Sequence, residues 1–309
     1  MRERIQKIID SGYEAPLAGE MKELTAQITA GLAATDAAVR EGSMEILWHW
    51  GQAGVYSDSQ LLELGQQMAD NLSVGLGEPN SDSVFLRAFS ALILAMVIVI
   101  DQRCECGQIE ERRPFLSKRQ VHEWLGAALS CLDKEQDRRG FTEDFGWAHS
   151  IAHVSDALGD FARSRHLNTA ELEQILQAIA DKIIEPCDVI YPFGEDSRLA
   201  RSTRDVLLRD QVSMAFLTQW LDTIAHGPGG SDWAAVLGLE SCDIQGNNAR
   251  MNARSFLYSL YFQLAIHPGN ARAEYFADYY ARPMPHRDEL MAAIVEAIKT
   301  MQHWGNAQE

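Results

Sequence analysis

Two histidines four residues apart, His149 and His153, with Asp156 three further on, are the side chains in this chain best spaced for chemistry. On one α-helix they project from one face, with the imidazoles about 6 Å apart along the axis. Helices offer two nitrogens to zinc or iron at this spacing, so His149 and His153 are the expected metal ligands. Asp156 lies about 10 Å along the axis from His149, too far for one ion to take all three. A carboxylate from another segment would complete the shell, and Asp156 would orient a ligand or line a substrate pocket. His149, His153 and Asp156 are also the candidate catalytic residues of a hydrolase, with or without a metal. The bland alternative is a set of hydrogen-bonded interior groups. The residues leave all three readings open: metal site, metal-free binding site, structural cluster. Neither His-Glu-x-x-His nor the Glu-x-x-His of di-iron bundles is present.

The flanking residues add to the set. Glu143 and Asp144 precede the histidine helix in a Gly-bounded turn that lets them fold back over its start, and Trp147 stands beside them. A second cluster holds Glu195, Asp196 and Arg198. It reads either as a helix N-terminus, with Asp196 or Ser197 as cap and Glu195 complementing the dipole, or as a binding wall facing the histidine helix. Tyr258, Tyr261 and Phe262 are expected in the core. Phosphate loops and the Gly-x-Ser-x-Gly elbow are absent.

The elements that must position these residues are helical. Proline is scarce, at 9 of 309, and apolar residues recur at helical spacing. Thr35 or Asp36, Ser57 or Asp58, Ser81–Ser83, Ser117 and Thr169 read as N-caps. The longest apolar stretch predicts a buried helix over about 84–103. Its 13-residue apolar run is shorter than the roughly 20 residues of a membrane span. Further helices are expected over about 147–164, 196–209, 212–225, 249–266 and 287–304, with no hairpin, and 188–194 as a loop. The expected fold is all-α: an irregular superhelix of antiparallel helix pairs of the HEAT or armadillo kind, or alternatively a closed α/α toroid. One domain over 1–309 is expected, with a possible subdivision near 227–232, where Gly227-Pro228-Gly229-Gly230 breaks the pattern.

Composition narrows the function. Lysine and arginine number 27 against 44 aspartates and glutamates, a net charge of −17. Such a chain repels phosphate backbones, so nucleic acid is not an expected partner, and neither is a membrane. Five scattered cysteines and an N-terminus without the apolar core of a signal peptide predict reduced thiols and a cytoplasmic location.

The same residues resemble an uncharacterised bacterial family, the domain of unknown function 2785. The resemblance rests on Asp82 to Leu92, on Arg139-Gly140-Phe141, and on Gly146-Trp147-Ala148-His149 with Ala152-His153 and Asp156. Gly194-Glu195-Asp196, Arg198-Leu199-Ala200 and Ser259 to Leu264 complete it. Val154-Ser155 and Ser197 depart from the family pattern, which has a Gly-containing pair and an acid there. The resemblance implies an all-helical fold and no activity. The residues therefore predict a binding or scaffold module with a polar His/Asp cleft, taking a protein, a peptide or a small molecule. The alternative is a hydrolase using the His149/His153/Asp156 face, and a small-ligand sensor is a third, weaker reading. A divalent metal, zinc or iron, is the one cofactor the spacing suggests.

Overall fold

Local side-chain chemistry starts several of the helices. Asp36 accepts from the amides of Ala38 and Val39 and opens α3 (Ala37–Gln52). Ser57 with Gln60 opens α4 (Asp58–Asn71), and Ser117 with Gln120 opens α6 (Lys118–Lys134), each as a reciprocal capping box. The computed structural model describes residues 1–17, 19–230, 233–236, 242–267 and 269–301. These form an all-α protein of thirteen α-helices, with strand confined to one two-residue pair among the described residues. They fall into two compact units, Met1–His166 and Leu167–Glu309. The loop at Gly227 and Pro228–Gly230 lies within the second unit. Residues 231–232 of the possible subdivision lie outside the described residues.

The first unit is organised round α5 (Ser83–Glu105). It packs against α3, α4 and α7 (Ser150–Ala162). Two short helices, α1 (Arg2–Asp10) and α2 (Met21–Gly31), lie on α3, while α6 packs on α4 and α7. An 18-residue window of α5 is long and apolar enough to cross a bilayer, and 83% of it is buried inside the protein. Burial on nearly all sides explains why its apolar residues are not confined to one stripe.

Glycine lets α4 and α6 approach. A Cβ built on Gly65 would lie 2.3 to 2.9 Å from the ring atoms of Trp124, which is itself buried. Alanine is the better helix former by about 1 kcal/mol. Overpacking against a fixed indole costs about 1–3 kcal/mol. Gly65→Ala is therefore expected to lower the urea midpoint. A raised midpoint would mean that Trp124 gives way freely.

The second unit is organised round α11 (Ile244–Ile266). It packs against α8 (Thr169–Ile184), α9 (Glu195–Leu207) and α13 (Arg287–Met301). In the same unit α10 (Met214–His226) lies on α8 and α13, and the four-residue α12 (Ala277–Tyr280) follows α11. Three starts differ from expectation. Asn168, not Thr169, caps α8, by a capping box with Glu171. Helix α11 begins five residues early because Asp243 accepts from Gly246 N; weak helix formers in Gly246-Asn247-Asn248 conceal that turn in the sequence. The cap of α9 is Gly194, at φ 86 and without a side-chain bond, so neither Asp196 nor Ser197 caps it. Residues 188–194 form a loop as expected, and 302–304 of the last expected helix lie outside the described residues.

Candidate functional site

A hairpin, unforeseen in the sequence, positions the histidines. Strands β1 (Phe141–Thr142) and β2 (Gly146–Trp147) pair antiparallel, Phe141 opposite Trp147. Two residues per strand are too few to show an alternating pattern, and the acids between them read as a plain turn. Gly146, at φ 71, supplies the left-handed residue the turn needs. The Thr142 hydroxyl donates to Gly146 O and accepts from Phe145 N. Glu143 and Asp144 stand at the exposed tip.

His149 follows at φ 57, as the left-handed residue before α7, so that helix begins at Ser150 and not at Trp147. Its amide donates to Arg139 O at 3.0 Å, and Ala148 N donates to Gly140 O at 2.8 Å. His149 and His153 do meet, with ring centroids 5.5 Å apart and planes tilted by 60°. Asp156, half-buried, lies one turn further along α7. The rings do not line an open cleft: His149 is 7% exposed and His153 9%. Trp147 stacks on His149 at 4.8 Å and 22°, and Phe89 meets His153 edge-on at 5.4 Å. Phe141 stands edge-on to Trp147 at 5.1 Å. These two outer rings are open to solvent, Trp147 by 37% and Phe141 by 46%. Val154 and Ser155 are buried on α7.

Two buried arginines, neither suspected from the sequence as part of a site, hold this face. Arg40 donates to the carbonyls of Phe145 and Trp147 in the hairpin, and to Ala34 O and Thr35 O before α3. Its guanidinium lies 4.1 Å from the Phe85 ring centroid and 5.1 Å from that of Phe89. Burial pulls its pKa down, against the opposing influence of Glu41 and Asp36. Arg87 forms a two-point bond with Glu135, Nε to Oε2 at 2.8 Å and Nη2 to Oε1 at 2.7 Å. Glu135 also accepts from the Ser150 hydroxyl at 2.8 Å and from Asp137 N at 3.0 Å. Ser150, the first residue of α7, is thereby tied to the end of α6.

Zinc or iron held by protein needs at least three side-chain donors. Among the described residues no group of three or more histidine, cysteine, aspartate or glutamate side chains is placed to hold an ion. His149 and His153 supply two, and the donor set does not fit a resident metal. Cys104, Cys131 and Cys187 are buried, and Cys106 and Cys242 are exposed.

The second cluster belongs to the second unit and builds a groove there. Asp196 accepts from the Ser259 hydroxyl at 2.6 Å, and Gln263 Nε2 donates to Ser197 O at 2.9 Å. Together with Tyr258 and Phe262 they line an open groove of about 400 Å³. Phe262 is 60% exposed and Tyr258 also reaches solvent, so these two aromatics are surface residues and not core. Glu195 is buried and accepts from Phe193 N at 3.0 Å. Burial, reinforced by Arg201 and Arg272, pulls the Arg198 guanidinium down to about 10.

Fold and site define a class: an all-α protein that exposes aromatic and polar side chains at the hairpin of its first unit and in the groove of its second. A family model described as a protein of unknown function (DUF2785) matches residues 72–262, and the chain belongs to that family. The matched span contains the hairpin, both histidines and the Glu195–Arg198 cluster. No curated protein and no solved structure matches the chain.

Proposed function

We propose that the protein is a binding module and that the hairpin face of its first unit receives the ligand, a peptide or a small molecule. The observation that carries this reading is the exposed Phe141–Trp147 pair, with Trp147 stacked on the sheltered His149 ring. Aromatic rings held at a fixed angle offer contact area at little cost in conformational entropy, and binding surfaces are enriched in them. Bonds from Arg40 to the carbonyls of Phe145 and Trp147 hold β2, on which Phe141 is paired through the strand register, before any ligand arrives. Glu143 and Asp144 at the tip, on a chain of net charge −17, favour a ligand with positive charge.

The test uses the full chain labelled with 5-fluorotryptophan, the Trp147 resonance being assigned by Trp147→Phe. Peptides and small molecules screened by fluorine NMR are expected to shift that resonance. Trp147→Ala is expected to weaken the same ligands about tenfold or more with little change in melting temperature. Ligands that bind without touching the Trp147 signal, and equally well to Trp147→Ala, would end this assignment.

The hydrolase reading has one observation in its favour, the 5.5 Å approach of His149 and His153. It requires turnover of a bound ligand that His149→Ala or His153→Ala abolishes while binding persists. A metal-dependent form would also show stoichiometric metal in protein purified without a metal-affinity tag.

A further inference from the structure

A pocket of about 210 Å³ opens in the first unit between α2 and α4, lined by none of the hairpin residues. Lys22 stands on the α2 side and Glu63 on the α4 side. Both are exposed, and among the described residues neither forms an ion pair or a hydrogen bond. Gln60 and Gln67 flank Glu63 three residues before and four after, so the three share one face of α4. The amide oxygen of Gln60 is engaged by the Ser57 amide and hydroxyl at 2.9 and 3.0 Å, which leaves its NH2 group as the donor for a ligand. The floor is apolar, built from Ala26, Leu64 and the buried ring of Tyr56. Thr25 donates to the Tyr56 hydroxyl at 3.4 Å, and burial pushes that phenol up to about 12, so it stays neutral.

An unmatched cation and an unmatched carboxylate across a small pocket with an apolar floor are the complement of a zwitterion. We infer that this pocket binds a free α-amino acid with a small apolar side chain. Lys22 receives the carboxylate and Glu63 the ammonium group. The Gln60 and Gln67 amides complete the polar rim, while Leu64 and the Tyr56 ring receive the side chain. A pocket of about 210 Å³ has room for an amino acid the size of valine.

The experiment is calorimetric titration of the full chain with valine, tryptophan, N-acetylvaline and valinamide. Valine is expected to bind more tightly than tryptophan, whose indole is too large to lie wholly on the Leu64 and Tyr56 floor. N-acetylvaline lacks the ammonium and valinamide the carboxylate, and each is expected to bind about tenfold more weakly or worse. Lys22→Gln and Glu63→Gln should each weaken valine by a similar factor and leave the unliganded melting temperature unchanged, because both side chains are exposed. Trp147→Ala should leave valine binding intact, which separates this site from the hairpin face. The inference fails if valine does not bind at millimolar concentration. It fails equally if both charge variants bind valine as the parent does, or if the blocked analogues bind as well as valine.

Discussion

Glu135→Ala is expected to cost about 3–5 kcal/mol of folding stability, a large part of what a domain possesses. Arg87 is fully buried inside α5, and Glu135 at the end of α6 is its two-point partner. Removing the carboxylate strands a guanidinium that retains Val74 O, Gly75 O and the Ser83 hydroxyl as acceptors and has lost its counter-charge. It also deprives the Ser150 hydroxyl and Asp137 N of their acceptor. Arg87→Met with Glu135→Leu removes both charges together, and a buried pair replaced by apolar residues is often close to neutral. The double variant should therefore lose less than Glu135→Ala alone. Urea unfolding of the parent, Glu135→Ala and the double variant measures this. Equal losses for Glu135→Ala and the double variant would show that the stranded charge is not what costs stability.

Arg40→Met is expected to lose about 2–4 kcal/mol and to release the hairpin. Four backbone carbonyls depend on this one guanidinium, two of them at Phe145 and Trp147. Leaving a buried acceptor unpaired costs about 1–3 kcal/mol, although the hairpin carbonyls can turn towards water and recover part of it. The cation–ring contacts with Phe85 and Phe89 are lost as well. The second readout is local: Trp147 should leave its stacked position on His149, and its fluorine resonance should sharpen and move towards that of an exposed indole. Arg40→Lys should behave similarly, because three donors on one nitrogen cannot span the two carbonyl pairs that the separate terminal nitrogens of the guanidinium reach. Unchanged stability with an unmoved Trp147 signal would show that the hairpin is held by other contacts.

Much of the fold is legible in the residues because helix starts are local events. Asp36, Ser57 and Ser117 are caps whose partners lie two or three residues away. The burial of α5 is legible for a similar reason, since a helix that is apolar all round can only be covered. The pairing of His149 with His153 is also local, the two being one helical turn apart, and it survives the shift of the helix start to Ser150. Arg87 carries a further signal: a lone cation in an apolar run needs a partner. Nothing in the sequence says that the partner is Glu135, 48 residues away in a run of charged residues.

What the tertiary structure alone decides is long-range. Arg40 reaches hairpin carbonyls more than a hundred residues ahead, and no local pattern records that contact. The hairpin itself is too short to alternate, and it exists because Arg40 and the ordered chain at Arg139 and Gly140 hold it. Exposure is decided in the same way. Phe262 and Tyr258 sit at helical spacing on α11, where periodicity suits a core stripe as well as a groove wall. Which of the two they become depends on whether another element covers that face. Spacing along a helix tells which side chains stand together; what faces them is settled by distant segments, through packing and desolvation that no short window of sequence contains.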